Sequence, residues 1–290
     1  MKPIPNRKID ESIFTSSFST FFMAFGVLFG LPLSTPAHAQ SANTRYGNEA
    51  LNNVTTGDYN SAFGDSALLL DQTGSRNTGT GSFALQDNQS GNSNTAIGAA
   101  ALGLNLGSYN TGVGDSALLL IENGTYNTAS GYQALYSFAN GSSNLSPSYN
   151  TATGAQALYT NMGDYNTASG GRALYTNSTG TANTANGYSA LRYNNTGSNL
   201  IGAGAFALFH NTSGVSNTAC GYGALNNNTS GSSNIAVGDR AGYNLTTGSN
   251  NIDVGNTGAA GESGKIRIGP KGTHNGTFTR VSQVRPWPME

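Results

Sequence analysis

One asparagine returns along this chain at nearly constant intervals, and that regularity limits the fold more than any other feature. Taken as the zero position of a unit, it stands at Asn43, Asn60, Asn77, Asn94, Asn110, Asn127, Asn150, Asn166, Asn183, Asn199, Asn217, Asn234 and Asn251. The spacing is 16 to 18 residues, with one longer interval of 23 between Asn127 and Asn150. Most units carry Gly at offset four, such as Gly47, Gly64, Gly98 and Gly131. Most carry Ala-Leu at offsets seven and eight, such as Ala67-Leu68, Ala134-Leu135 and Ala224-Leu225. The unit at Asn199 slips by one residue, to Gly204 and Ala207-Leu208, and the unit at Asn234 ends in Ala241-Gly242.

Seventeen residues cannot enclose a core alone, so successive units must stack. Frequent Gly, Asn and Thr make helix a poor solution. Each unit instead offers two short extended pieces, one at Asn-Thr-Ala-x-Gly and one around Ala-Leu, bounded by turn residues. This reads as an all-β chain, a parallel β-solenoid or β-roll of about thirteen 17-residue coils. At ~4.8 Å per coil the rod is roughly 60 Å long. The array is assigned to residues 40–258, with a loop insertion near 137–149, and residues 259–290 form a C-terminal cap or tail.

Stacking explains the composition. Equivalent residues lie above one another, so a repeated charge would face its own copy in every coil. Charged residues are only 9% of the chain, against about 25% in ordinary domains. No Lys occurs between Asn43 and Asn251. Asn suits the same arrangement, because its amide both donates and accepts and can form a ladder. The ladder expected is Asn43, Asn60, Asn77, Asn94, Asn110, Asn127, Asn150, Asn166, Asn183, Asn217, Asn234 and Asn251. Of the eight prolines only Pro147 falls inside the array, in the long interval. Strand alternation places offsets one and three on one face, for example Thr95 and Ile97 or Ile235 and Val237. That face, joined by Leu at offset eight, is read as the core. The Ala or Gly at offset two is then free to pack against another chain.

The first 39 residues read as a secretory signal peptide. Lys2, Arg7 and Lys8 precede an apolar run from Phe21 to Leu33, and Ala37-His38-Ala39 is a small-x-small cleavage site. The run is shorter than the ~20 residues a spanning helix needs. Cleavage after Ala39 gives a secreted or cell-surface protein, with no transmembrane anchor visible. A single cysteine, Cys220, means that disulfides do not hold the exported chain together.

The repeated phrase "NTASGYQALY", with its Asn-x-Thr-Gly turn, resembles the heads of YadA-like trimeric bacterial adhesins and of tail-fibre proteins. The stretch "NNIDVGNTGAAGESGKIRIG" is similar to the segment found before endosialidase-type intramolecular chaperones, although no chaperone follows it here. The resemblance covers residues 43 to about 269. It implies a left-handed roll and a homotrimer, with a head like that of a trimeric autotransporter and no cofactor.

Catalytic constellations are not evident. His210 sits in a turn and His274 near the end, and no G-x-S-x-G elbow or metal-spaced cluster occurs. Asp65, Asp115 and Asp239 share offset five and read as corner residues. The dinucleotide-like "GTGSFA" and "GVGDSA" are by-products of the repeat, and "GESGKI" lacks the residues of a phosphate loop. Tyr59, Tyr109, Tyr126, Tyr149 and Tyr165 all precede the repeat Asn. They read as corner packing, with a sugar-binding stripe as the alternative.

The chain is therefore expected to be a non-enzymatic, exported surface or fibre protein, adhesive by display of its repeat loops, with a host-surface or glycan ligand and no nucleic acid. Two alternatives stand beside this. Thr at offset one in nine units allows an ice-binding rank, although offset three is Thr only at Thr80 and Thr153. A tailspike-like glycan-binding or glycan-processing protein would need carboxylates clustered on one face.

Overall fold

The computed structural model describes residues 42–137 and 146–270. The signal-peptide reading and His274 lie outside them, as does most of the long-interval loop. No helix forms among the described residues, and every strand is short. One parallel sheet contains β1 (Thr44–Tyr46), β2 (Ser61–Phe63), β3 (Thr78–Thr80), β4 (Thr95–Ile97), β5 (Thr111–Val113), β6 (Thr128–Ser130) and β7 (Thr151–Thr153). It continues through β9 (Thr167–Ser169), β11 (Thr184–Asn186), β12 (Ile201–Ala203), β13 (Thr218–Cys220), β14 (Ile235–Val237), β15 (Ile252–Val254) and β16 (Ile266–Ile268). A small second sheet pairs β8 (Thr160–Asn161) with β10 (Thr176–Asn177).

Neighbouring strands are successive units paired at equal offset, as in Thr78↔Thr95 and Thr95↔Thr111. The fold is a parallel β-solenoid of about thirteen coils. The 23-residue interval keeps this register, since Thr128 pairs with Thr151. Pro147, expected in the bulging loop, is buried, and its carbonyl accepts a hydrogen bond from Asn127 Nδ2 at 2.7 Å. The last step is shorter, with Ile252 paired to Ile266.

Two expectations are overturned. The first is which strand face is core. The offset-two residues Ala62, Ala96, Ala129, Ala168 and Ala219 are fully buried, whereas offsets one and three face outward. Ala at offset two packs with the buried Ala-Leu pair of offsets seven and eight, as in Ala67-Leu68. The interior is narrow. A Cβ added at Gly79 would already lie 3.2 Å from the Ala84 carbonyl and 3.5 Å from Leu68. Only Ala or Gly fits there, and β-branched side chains must point out. The second correction concerns Asn199. Ile201 pairs with Thr184 and with Thr218, so Leu200 occupies the asparagine file and is buried. Asn199 falls one place earlier, and the unit does not slip.

The Ala-Leu segment is a run of tight turns. Ala84 N–H bonds to Gly81 O and Gln86 N–H to Phe83 O, both at 3.3 Å. Phe83 and Leu85, the third residues of these turns, are left-handed, with φ of 59° and 52°. Such turns usually put Gly there. A left-handed Leu costs ~1–2 kcal/mol, and its complete burial contributes ~1.5–3 kcal/mol. The conformation survives because the corner drives Leu into the core. Leu85 N–H also bonds to Ala101 O of the next coil at 3.0 Å, so the turns join the coil-to-coil ladder.

The asparagines form two internal files. In the expected file each side chain bridges to the backbone of the next coil. Asn60 Oδ1 accepts from Asn77 N–H at 2.9 Å, and Asn60 Nδ2 donates to Gly74 O at 2.7 Å. The same pattern runs from Asn43 to Asn251, broken at Leu200, which has no amide, and at Asn150, whose Nδ2 donates to Asn127 Oδ1 and to Ser148 O. Its main partners are therefore main-chain groups, not neighbouring amides. A second file at offset eleven is the amide-to-amide ladder. There Asn177 donates to Asn161, Asn194 to Asn177, Asn211 to Asn194 and Asn228 to Asn211, at 2.6 to 3.0 Å. Each of these also donates to the glycine carbonyl at the end of its own turn, as Asn194 does to Gly197 O at 2.8 Å.

The two files meet at those glycine carbonyls. Gly197 O receives both Asn183 Nδ2 and Asn194 Nδ2. Gly214 O receives Asn211 Nδ2 alone among the described asparagines, because Leu200 has no amide to offer. Replacing Asn211 with Ala strands that buried carbonyl, whereas Asn194→Ala leaves Gly197 O served by Asn183. Chemical denaturation is expected to show Asn211→Ala as the more destabilising of the two by about 1–2 kcal/mol.

Candidate interaction surface

A solenoid with a filled interior can act only through its faces and corners. Three surface features and one buried one distinguish this rod. The broadest is the outer side of the 14-stranded sheet. Its offset-one file is Thr on nine strands, with Ser61, Ile201, Ile235, Ile252 and Ile266 on the others. Its offset-three file runs Tyr46, Phe63, Thr80, Ile97, Val113, Ser130, Thr153, Ser169, Asn186, Ala203, Cys220, Val237, Val254 and Ile268. Neither file contains Asp, Glu, Lys, Arg or His. The last three strands expose β-branched aliphatics in both files, with Ile266 at 71% and Ile268 at 66%.

The second feature is the expected tyrosine file before the repeat Asn. Tyr109, Tyr126, Tyr149 and Tyr165 stack nearly parallel, with centroids 4.8 to 5.1 Å apart. Their left-handed backbone, φ 57° to 61°, points each ring outward at the corner. Tyr59 stands apart, since Arg76 and Ser93 occupy the corner in the coils between it and Tyr109. A second stack joins Tyr136, Tyr159 and Tyr175, at 5.2 and 5.0 Å. The sequence reading missed it, although "ALYS" and "ALYT" carry its signal at offset nine. In both stacks the rings cover one another's faces.

The third feature departs from that order. Tyr188, Tyr193, Phe206, Phe209, His210 and Tyr222 meet mostly edge to face, as in Phe206–Tyr222 at 5.8 Å and 81°. His210 lies against Tyr193 at 5.9 Å, so the expected turn histidine belongs to an aromatic group. The Arg192 guanidinium stands 5.2 to 5.9 Å from the rings of Tyr193, Tyr175 and Phe209, and Arg240 stands 6.0 Å from Tyr222. Neither arginine is in an ion pair among the described residues, and Arg192 Nε is buried with no hydrogen-bond partner.

Asp65, Asp115 and Asp239 are exposed corner residues separated by intervening coils, and the fold does not bring them together. Cys220 is exposed on the strand face. Among the described residues no group of three His, Cys, Asp or Glu is placed to hold a metal, and no helix is long and apolar enough to cross a membrane. Comparison with protein-family models, curated proteins and solved structures finds no match to this chain.

The carboxylates that stand out are structural. Asp71 opens the offset-eleven file, fully buried, accepting from Asn88 Nδ2 at 3.2 Å and from Gly74 N–H at 3.0 Å. Burial raises its pKa to about 7, and these hydrogen bonds pull only partly the other way. Asp87, half-buried, is raised to about 6 by burial. Asp253 takes the inward position of β15, where β2 to β14 of the same sheet have Ala or Gly. Both its oxygens lack hydrogen-bond partners, and burial raises its pKa although Arg267 of β16 opposes this. Arg267 itself pairs with Glu262.

An acid whose pKa is raised on folding holds its proton longer in the folded chain. Its contribution is most favourable below the unfolded pKa near 4 and is lost as pH rises through the folded value. Asp71→Asn removes that loss and supplies the amide found elsewhere in its file. The expected outcome is a variant more stable than the parent by on the order of 1–3 kcal/mol at pH 8, with the gain shrinking towards pH 4. Thermal melts across that range measure it.

Proposed function

We propose that this chain is an exported, non-catalytic structural protein that assembles as a homotrimer through the outer strand face and displays its corners for adhesion. The observation that carries the reading is the charge-free strand face. Exposed charged residues such as Asp65, Asp115, Asp239 and Arg240 lie at corners, and interface centres are where charge is depleted. The face is a strip roughly 60 Å by 10 Å, on the scale of the ~800 Å² each partner of a stable complex covers. Its apolar end, Ile235, Val237, Ile252, Val254, Ile266 and Ile268, offers the strongest gain on burial. The leader-like residues 1–39 and the resemblance to trimeric adhesin heads support export and threefold assembly. In such a fibre, function comes from rigid multivalent presentation, where effective concentration multiplies weak contacts.

A second reading has one observation in its favour: the nine threonines at offset one form an outward rank on a regular sheet. The neighbouring file weakens it, because Tyr46, Phe63, Ile97 and Val113 interrupt any ordered hydration pattern.

Sedimentation equilibrium of the secreted portion at micromolar concentration is expected to give a trimer. Ile235→Asp with Val237→Asp is expected to dissociate it, since buried unpaired carboxylates on three chains would face one another. A folded, stable wild-type monomer overturns the trimer. Thermal hysteresis measured on the same sample would then favour the ice-binding reading.

A further inference from the structure

We propose that the aromatic–arginine corner formed by Tyr188, Arg192, Tyr193, Phe206, Phe209 and Tyr222 is a binding site for carboxylated glycans, a ligand assignment that rests on the display reading. The aromatic stacks elsewhere on the rod explain why this corner is different. In the Tyr109–Tyr165 file each interior ring is covered above and below at about 5 Å, so ring edges face solvent. Around Phe206 and Phe209 the interplanar angles are 65° to 90°, so these rings meet edge to face and do not form a closed face-to-face stack. Tyr188 and Tyr222 are each 50% exposed, about as much as the stacked tyrosines, so what sets this corner apart is the orientation of its rings and the guanidinium groups beside them. Aromatic faces are what the C–H face of a sugar ring packs against, and a tyrosine adds a hydroxyl at its edge.

The arginines define the charge of the ligand. Arg192 lies among three rings and Arg240 against a fourth, both without a carboxylate partner. A guanidinium held against aromatic rings keeps its planar fork oriented and suits bidentate capture of a carboxylate. The wider charge distribution points the same way. From Tyr165 to Asn250 the ionisable side chains other than His, Tyr and Cys are Arg172, Arg192, Arg240 and Asp239. Between Asn43 and Asp164 acids dominate, with Glu49, Asp58, Asp65, Asp71, Asp87, Asp115, Glu122 and Asp164 against Arg45 and Arg76. The cationic part of the rod therefore coincides with the edge-to-face rings.

Single-stranded nucleic acid also pairs stacking with positive charge. Its affinity depends on neutralising many closely spaced phosphates, and three arginines spread over several coils do not provide that. A sugar chain with one carboxylate per one or two residues matches the sparse spacing better.

The test is binding of the secreted portion to fluorescent oligosaccharides: a sialylated trisaccharide, a uronic-acid-containing hexasaccharide, their neutral counterparts and an oligothymidylate. Binding of either acidic sugar, with at least tenfold weaker binding of its neutral counterpart, is expected, and which of the two binds identifies the source of the carboxylate. Arg192→Gln and Arg240→Gln should each reduce affinity tenfold or more, and Arg192→Lys should recover part of it. Tyr222→Ala, at a half-exposed ring outside the core, should also weaken binding tenfold or more, and Tyr126→Ala in the closed stack should leave binding unchanged. Equal binding of neutral and acidic sugars, preference for oligothymidylate, or indifference to all the arginine changes overturns the assignment. The measurements are repeated on Ile235→Asp/Val237→Asp. Retained affinity for the monovalent sugar in that variant supports the site whatever the oligomeric state, so loss of the trimer and loss of the site are read separately.

Discussion

The structure depends on one contact repeated up the rod: a buried asparagine amide that serves the backbone of the coil above it. At the corner where a coil enters its strand, the N–H of the zero residue and the carbonyl of the glycine three places earlier are buried. Neither is satisfied by the strand ladder there. Leaving such groups unpaired costs ~1–3 kcal/mol each. Asn94 resolves both, accepting from Asn110 N–H and donating to Gly107 O. Asp lacks the donor, and Leu lacks both functions. The periodic asparagine therefore meets a backbone need in every coil of the array but the one at Leu200, where Gly214 O is left to Asn211.

Other features follow from it. In most coils the residue that supplies the carbonyl is a glycine with no room for a side chain: a Cβ on Gly91 would collide with the Gly107 carbonyl and the Asn88 amide, and side chains stand there only beside the long interval, at Pro147, and at the end of the array, at Glu262. With glycine fixed there and small residues fixed on the inner strand positions, little apolar volume remains. The core is three files of Ala, Ala and Leu. Such a core gains little per coil, so the hydrogen-bonded files and the stacking of many coils must supply the cooperativity. Leu85 and its equivalents accept a left-handed backbone because no other corner position reaches the centre of so narrow a section. The upper end departs from the pattern where stacking shortens, with Asp253 and Arg267 at inward positions.

Much of this was legible in the letters. Spacing alone gave coil length, parallel pairing at equal offset and the first asparagine file. The inside–outside assignment is not legible in the same way, because apolar content points to the wrong face. Ile97, Val113 and Ile235 look like core beside a column of alanine. The better signal was Thr at offset one: a hydroxyl repeated through nine coils, with no partner in the sequence, belongs in water. Leu200 was missed because an asparagine stands next to it, and only pairing of the neighbouring strand fixed the register. The offset-eleven file was hidden among turn residues, where Asn is common for other reasons. The aromatic corner could not be read, since its members sit at offsets five, six, nine and ten in different units.

Function in such a rod is carried where its surface departs from the repeat. Interior files are held to one residue type by hydrogen bonding and volume, so they repeat. Corner residues are released from both constraints and can differ from coil to coil without cost to the stack. Where the corners do repeat, as in the two tyrosine stacks, neighbouring rings satisfy one another and the surface is closed. Where repetition breaks, as at Tyr188, Phe206 and Arg192, side chains meet at angles and keep charges unpaired. Departure from the repeat is therefore the better guide to binding than the repeat itself, which records only how the rod is built.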